Sequence, residues 1–401
     1  MGALERLEAR GFVQQTTHED EIRQALAGPP VTFYIGFDPT ADSLHAGSLV
    51  QIMAMANLQR AGHRVVALVG GGTSRVGDPS GKTELRKMMS DETIAANTAA
   101  IEAQLKRFLV LDGERGLLVD NADWLMKLGY IEFLRDIGRH FSVNRMLTAE
   151  SYKQRLERGL SFIEFNYQLL QAYDFLQLHR THGVKLQLGG DDQWGNIIAG
   201  VDLIRRLEQT QAWGLTTPLL TTASGAKMGK TANGAVWLDA DKLSPFDYWQ
   251  YWYNTDDRDV GRFLRLFTFL ELDRIEELEQ LQGAQINEAK RVLANEATTL
   301  AHGAEAAAQA DAAAKAMVGG QASDDLPTHV LADDVPLYVA LAECGLAKSR
   351  GEGRRLVKQG GVRIDGEKVA DAEQVVSRAS LGADGLVVRV GKKRAVRLLS
   401  A

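Results

Sequence analysis

The run VTFYIGFDPTADSLHAGSLVQIMAMANLQ, Val31 to Gln59, decides the fold. VTFYIGF mixes β-branched and aromatic residues without alternation, as a strand buried on both faces does. LVQIMAMANLQ has the apolar density of a buried helix. Between them stands a polar turn with one histidine and a glycine, His45 and Gly47. Such a turn reads in two ways. It is a strand-to-helix connection, with Asp38, Thr40 or Asp42 as the N-cap and His45 as a structural neighbour. Or it is a polyphosphate site, because first-turn helix amides are unpaired and receive anionic oxygens.

The same grammar recurs. HRVVALVGGG and VKLQLGG are again strands running into glycines, and FIEFNYQLLQAYDFLQLHRTHG has helical spacing, with Phe165, Leu169, Ala172 and Leu176 near one face. Strand, glycine-rich turn and helix, repeated, predict an α/β doubly wound parallel sheet whose ligands lie at the carboxyl ends of its strands. A helix is expected from about Ser90 to Leu109 and another from about Leu125 to Gly138. We place this α/β domain at residues 1–220, a loop and all-helical region at 221–320, and an Ala/Gly/Ser-rich linker at 321–334. A small α+β unit follows at 335–401.

Composition narrows the function classes. A chain of 401 residues with 45% hydrophobic and 24% charged residues is ordinary for a globular protein of two or three domains. It has no long uncharged apolar run, and MGALERLEARGFVQQ carries charges where a signal peptide is apolar, so a cytoplasmic location is expected. The single cysteine, Cys344, excludes an intrachain disulfide framework and a multi-cysteine zinc site. The net charge of −6 hides an asymmetry: from Val335 onward 13 Lys and Arg face 7 Asp and Glu. A basic tail on an acidic body points to a polyanion held by one part only.

Two further loops suit phosphate. Gly70-Gly71-Gly72 permits close backbone approach, and Asp78-Pro79-Ser80-Gly81-Lys82 follows, although GDPSGKT lacks the P-loop spacing and GxGxxG is absent. Lys227-Met228-Gly229-Lys230-Thr231 could be a flap closing over phosphates or a solvated turn. Tyr167, Gln171 and Asp174, spaced by four and three, share one helix face. That stripe is either an internal hydrogen-bond network or a ligand site for a zwitterion. GGDDQWGN puts Asp191, Asp192 and Gln193 at a strand's carboxyl end.

With these segments in order, the chain resembles the bacterial tyrosyl-tRNA synthetases, class I aminoacyl-tRNA synthetases, from about residue 4 to the end. YIGFDPTADSLHAGS is similar to the family's first signature and KMGKT to its mobile second loop. GDPSGK, EFNYQLLQAYDF and GGDDQWGN are similar to its amino-acid pocket segments. The resemblance implies tyrosine–tRNA ligation through tyrosyl-adenylate, with ATP, Mg2+ carried on the pyrophosphate, and tRNA(Tyr). It implies that Tyr34 and Asp174 meet the tyrosine phenol, that Asp78, Tyr167 and Gln171 hold its ammonium, and that Gln193 lies near carboxylate and ribose. Asp192 would take the ribose, and Gly36, Asp38 and Gly47 would line the adenylate site. Thr40 and His45 would contact phosphate, with Lys82, Arg86, Lys227, Lys230 and Thr231 around the pyrophosphate. Where the family's first signature ends in a second histidine, this sequence has Ser48, a shorter donor that carries no charge. The resemblance also implies a helical anticodon-binding region within 221–320, a C-terminal S4-type RNA-binding domain and a homodimer, with YIEFLRDIGRHFSVNRML near its interface.

The implied chemistry needs no base, because the attacking carboxylate is already ionised; positioning and charge stabilisation suffice. Arg350, Arg354, Arg355 and Lys358 fall on one side of a helix, a phosphate-binding or merely solvated face. Without the resemblance, a nucleotidyltransferase acting on a small metabolite is the rival, and within it tryptophan is the rival substrate. An RNA-binding protein that has lost catalysis is the alternative from another class.

Overall fold

The computed structural model describes residues 1–78, 80, 89–148, 152–153, 156, 159–225, 228–231, 234–319, 326–382, 385–391 and 394–400. By Cα proximity the chain divides into two compact units, Met1–His302 and Gly303–Ala401.

The first unit is built on a six-stranded sheet: β1 Gln15–Thr16, β2 Thr32–Phe37, β3 Arg64–Val69, β4 Gly116–Asp120, β5 Val184–Gly190 and β6 Trp213–Thr217. Their order is β1-β6-β5-β2-β3-β4. The five strands β2 to β6 run parallel, as expected for a doubly wound sheet, and only the two-residue β1 is antiparallel, at the edge beside β6. The order reverses between β2 and β5, whose neighbouring carboxyl ends open the crevice where such folds bind ligands. In β2 every residue from Phe33 to Phe37 is buried except Gly36, which lies open on the crevice side.

The Phe162–His182 helix supplies the wall of that crevice. Ser161 and Glu164 form a reciprocal capping box at its start: the hydroxyl accepts the Glu164 amide, and the Glu164 carboxylate accepts the Ser161 amide. The helix buries Phe175, Leu176 and Leu178 with Tyr34 of β2 and Val66 and Leu68 of β3 in one apolar cluster. Its polar residues therefore sit at a fixed height above the sheet.

Two expectations change. The helix foreseen over Leu125 to Gly138 is two short helices, Ala122–Leu125 and Tyr130–Asp136, separated by a turn ending in Gly129. None of Asp38, Thr40 and Asp42 caps the helix after the first loop. His45 caps the short turn Ala46–Ser48, and Ser48 precedes the Leu49–Arg60 helix, while Asp42 pairs with Lys242 at 2.8 Å. Beyond the second loop Gly234–Ala235 pairs with Lys230–Thr231, and Trp237 makes a single antiparallel bridge to His45.

Residues 245–302 are helical. Pro245–Tyr253, capped by Ser244 with proline at its start, packs Trp252 against Phe263 and Phe267 of the Val260–Phe267 helix, with ring centroids 6.0 and 4.9 Å apart.

In the second unit the Ala304–Gly319 helix comes first. A five-stranded sheet then combines Thr328–Leu331, Val362–Ile364, Glu367–Lys368, Leu386–Val390 and Arg394–Ser400. Its edge strand Thr328–Leu331, parallel to Arg394–Ser400, lies inside the segment expected to be linker. The helices Leu337–Glu343 and Arg350–Lys358 fall where the apolar and basic patterns put them.

Candidate functional site

A cavity of about 420 Å³ opens at the carboxyl ends of β2 and β5. Tyr34, Gly36, Asp38, Thr40, His45, Ser48, Asp78, Tyr167, Gln171, Asp174, Asp192 and Gln193 all line it. The predicted pocket residues are thus brought together, although they come from segments far apart in the chain.

One end of the cavity is closed off by burial. Asp174 is 1% exposed, and its two carboxylate oxygens accept hydrogen bonds from Asn121 Nδ2 and Trp124 Nε1, each at 2.8 Å. Burial pushes its carboxyl up to about 7, against the pull of those two donors. Tyr34 is equally buried, its ring tilted on Phe175 with centroids 5.3 Å apart. Its hydroxyl has no hydrogen-bond partner among the described residues. Burial, with Asp174 as the nearby negative charge, raises the Tyr34 phenol well above its ordinary range. A buried hydroxyl left unpaired beside a carboxylate is costly unless a ligand completes it.

The middle is a polar relay. Asn196 Nδ2 donates to Gln171 Oε1 and Gln193 Oε1, both at 3.1 Å, and Gln193 Nε2 donates to Asp78 Oδ2 at 2.8 Å. Thr73 Oγ1 donates to Asp38 Oδ1 at 3.0 Å, and the Tyr167 hydroxyl lies 3.4 Å from the other oxygen of Asp38. Burial, then the charges of Asp78 and Asp191, raises Asp192 above the usual carboxylate range. Asp191 instead faces structure: it accepts from Gln15 Nε2 and Thr216 Oγ1, tying β1 and β6 to the turn after β5.

The other end is made of loops. His45 Nδ1 accepts the Gly47 N–H at 3.0 Å, so the neutral ring carries its proton on Nε2 and presents a donor there. The capping reading of His45 is thus the one the geometry shows, and it fixes the ring tautomer. The second loop lies against the first. Ala46 N–H donates to Val236 O at 2.7 Å, and Leu238 N–H donates to Leu44 O at 2.9 Å. Gly229 has φ +76°, and a Cβ there would collide with the Gly47 amide; a Cβ on Gly47 would press on the Met228 carbonyl and the His45 ring. Glycine is required at both positions for the two backbones to touch. Lys230 and Thr231 are described as hairpin backbone only, and Lys82, Arg86 and Lys227 lie outside the described residues.

Asn121, Trp124, Thr73 and Asn196 carry no mark in the sequence pattern. Asn121 and Trp124 closely follow β4, so the rule that ligands gather at strand carboxyl ends could have found them. In the second unit Arg350, Arg354, Arg355 and Lys358 belong to one helix, all four exposed along it. Arg354 is already engaged: its Nε donates to Glu373 at 2.9 Å and its guanidinium lies over Tyr338, 3.9 Å from the ring centroid.

Among the described residues no helix is long and apolar enough to cross a membrane, and no three His, Cys, Asp or Glu gather as a metal site. Residues 26–319 match the family model of class I tRNA synthetases (W and Y), and residues 320–397 match the tyrosine-tRNA ligase SYY-like C-terminal domain. The chain is 53% identical over 398 residues to a tyrosine-tRNA ligase of Clostridium botulinum, covering 98% of each chain. It is 56% identical over 403 residues to one of Caulobacter vibrioides, covering 98% of this chain and 96% of that one. A C-terminally truncated mitochondrial tyrosyl-tRNA synthetase of Aspergillus nidulans superposes with a TM-score of 0.71 at 32% identity, over 78% of this chain and 93% of that one. A pocket with a buried, unanswered phenol at one end and two glycine-joined loops at the other therefore sits in a chain that belongs to the tyrosine-tRNA ligases of the class I aminoacyl-tRNA synthetases.

Proposed function

We propose that the closed end of the cavity reads the phenol of L-tyrosine and the open end holds the triphosphate of ATP, so that tyrosyl-adenylate forms between them. The observation that carries this reading is the unpaired Tyr34 hydroxyl beside Asp174. A phenol placed there donates to Asp174 and accepts from Tyr34, satisfying both at once. Asp78, Tyr167 and Gln171 receive the ammonium, while Gln193 stands near the carboxylate and ribose. Asp192 takes the ribose hydroxyls beside Gly36, Asp38, Gly47 and Ser48.

The tyrosine carboxylate attacks the α-phosphorus in line, and pyrophosphate leaves. Charge growing on the phosphate oxygens is met by Thr40 and the Nε2 donor of His45, with Lys82, Arg86, Lys227, Lys230 and Thr231 around the leaving group. Mg2+ enters as part of the ATP substrate. Tyrosine then passes to the 3′ end of tRNA(Tyr), anchored by Arg350, Arg354, Arg355 and Lys358; the helical region 245–302 takes the anticodon side.

The same reading makes the protein a cytoplasmic homodimer. Exposed apolar residues at 126–163 support it, among them Ile131, 72% exposed, and Phe162, 70% exposed. Tyrosine-dependent ATP–pyrophosphate exchange tests the assignment: exchange with tyrosine and not with tryptophan or phenylalanine is expected. Tryptophan-dependent exchange would overturn it.

A further inference from the structure

The hairpin bearing Lys230 is fastened by side chains that belong to neither signature loop. Asp259, 3% exposed, stands at the start of the Val260–Phe267 helix. One of its carboxylate oxygens accepts the Ala223 N–H at 2.7 Å, and the other accepts Arg262 Nη2 at 2.6 Å. Arg262 also donates to the Thr221 carbonyl at 2.6 Å. The chain entering the flap is thus gripped on both its N–H and C=O sides by one ion pair whose carboxylate is buried.

A second fastening lies further along. Met228 is 6% exposed, and its sulfur accepts the Tyr251 hydroxyl at 3.2 Å. Burial pushes the phenol up to about 12, against a lowering pull from the nearby Gly229 backbone. The Met228–Gly229 peptide also lies so close to Gly47 and His45 that a Cβ on either glycine would collide. The peptide is held between the helical region and the first phosphate loop, and Lys230 follows it directly. A buried carboxylate hydrogen-bonded to a backbone amide is a strong, directional restraint, and a misplacement of about 1 Å at a positioned charge slows a reaction severely.

We propose that Tyr251 and the Asp259–Arg262 pair are positioning residues that hold the flap at Met228–Thr231 against the first loop and so set the rate of the step in which pyrophosphate leaves. The inference rests on the reading above of where ATP binds. These residues touch no reacting atom; they act through the backbone of Thr221 and Ala223 and the side chain of Met228.

The test uses the full chain with Asp259→Asn and, separately, Tyr251→Phe, measured in ATP–pyrophosphate exchange with ATP and tyrosine varied in turn. Asp259→Asn should lower kcat/KM for ATP by about tenfold and Tyr251→Phe by about threefold, as expected for a charged and a neutral hydrogen bond. The KM for tyrosine should stay within about twofold of the unaltered chain. ATP parameters unchanged in both variants would overturn the proposal. So would a matching rise in tyrosine KM, because general loosening moves both substrates together. If Asp259→Asn does not fold, Tyr251→Phe decides alone, since it removes one oxygen and leaves the ring packing. An unaltered chain without tyrosine-dependent exchange would overturn the site reading itself, and this inference with it.

Discussion

The two ends of the cavity are built from different materials. The end proposed to read the phenol stands on a strand, β2, and a capped 21-residue helix, with each carboxylate oxygen of Asp174 already bonded to a side chain that follows β4. The end proposed to hold the triphosphate stands on two loops joined backbone to backbone, by close contact at Gly47 and Gly229 and a short bridge at His45 and Trp237. Rigid elements suit discrimination, because a buried polar pair cannot relax around a wrong ligand. Loops suit the transition state, because their donors must strengthen contacts as charge develops.

The largest effect is expected at the rigid end. Phenylalanine would leave Tyr34 and Asp174 buried and unpaired. Rejection of that deoxy analogue by about 10^4 to 10^5 is a property already known for tyrosyl-tRNA synthetases themselves, so the range is the family's and the geometry here supplies only its cause. Asp174→Ala should erase most of that preference in exchange assays with the two amino acids, mainly by weakening tyrosine. Next comes the loop end. His45→Gly should cost about 2.7–4 kcal/mol in adenylate formation, by analogy with the loss of one oxyanion-hole donor, or roughly 10^2–10^3 in rate. Tyrosine affinity, measured by equilibrium binding, should hardly change, because the two ends are separately built.

Smaller effects refine the picture. The Asp174 carboxyl is raised from 3.8 to about 7, so the folded chain holds this proton more tightly than the unfolded one. The group's contribution to stability is therefore present in full below the ordinary carboxylate range, declines as pH rises towards about 7, and is flat above it. Tyrosine, which needs an ionised acceptor, should bind more tightly as pH rises towards that value, by at most about tenfold per unit; Asp174→Asn should abolish the trend. Least of all, Ser48→His should change the exchange rate by only a few fold, because Ser48 keeps a hydroxyl at the cavity wall.

Much of the rigid end was legible in the sequence. Tyr167, Gln171 and Asp174 declare themselves by helical spacing, and their shared face follows from about 3.6 residues per turn. Tyr34 and Gly36 sit in a strand whose burial is plain from composition. Asn121 and Trp124 were hidden, because a side chain that orients a carboxylate leaves no periodic mark and is defined only by tertiary approach. At the loop end the sequence offered His45 with two competing roles; the geometry shows the cap, and the phosphate contact belongs to the proposed function. The clasp made by Asp259, Arg262 and Tyr251 was equally invisible, since those residues read as ordinary helix surface and core. The sheet edge at Gln15–Thr16 and the strand at Thr328–Leu331 were missed because segments this short carry too little pattern to register against a loop.

The central claim, that Tyr34 and Asp174 together receive the substrate phenol, is tested most directly by a crystal structure of the full chain with L-tyrosine bound. The account predicts the phenolic oxygen within about 3 Å of both the Tyr34 hydroxyl and an Asp174 carboxylate oxygen, with the amino group towards Asp78, Tyr167 and Gln171. A ring lodged elsewhere in the cavity, or a phenol turned towards the His45 loop, would contradict it.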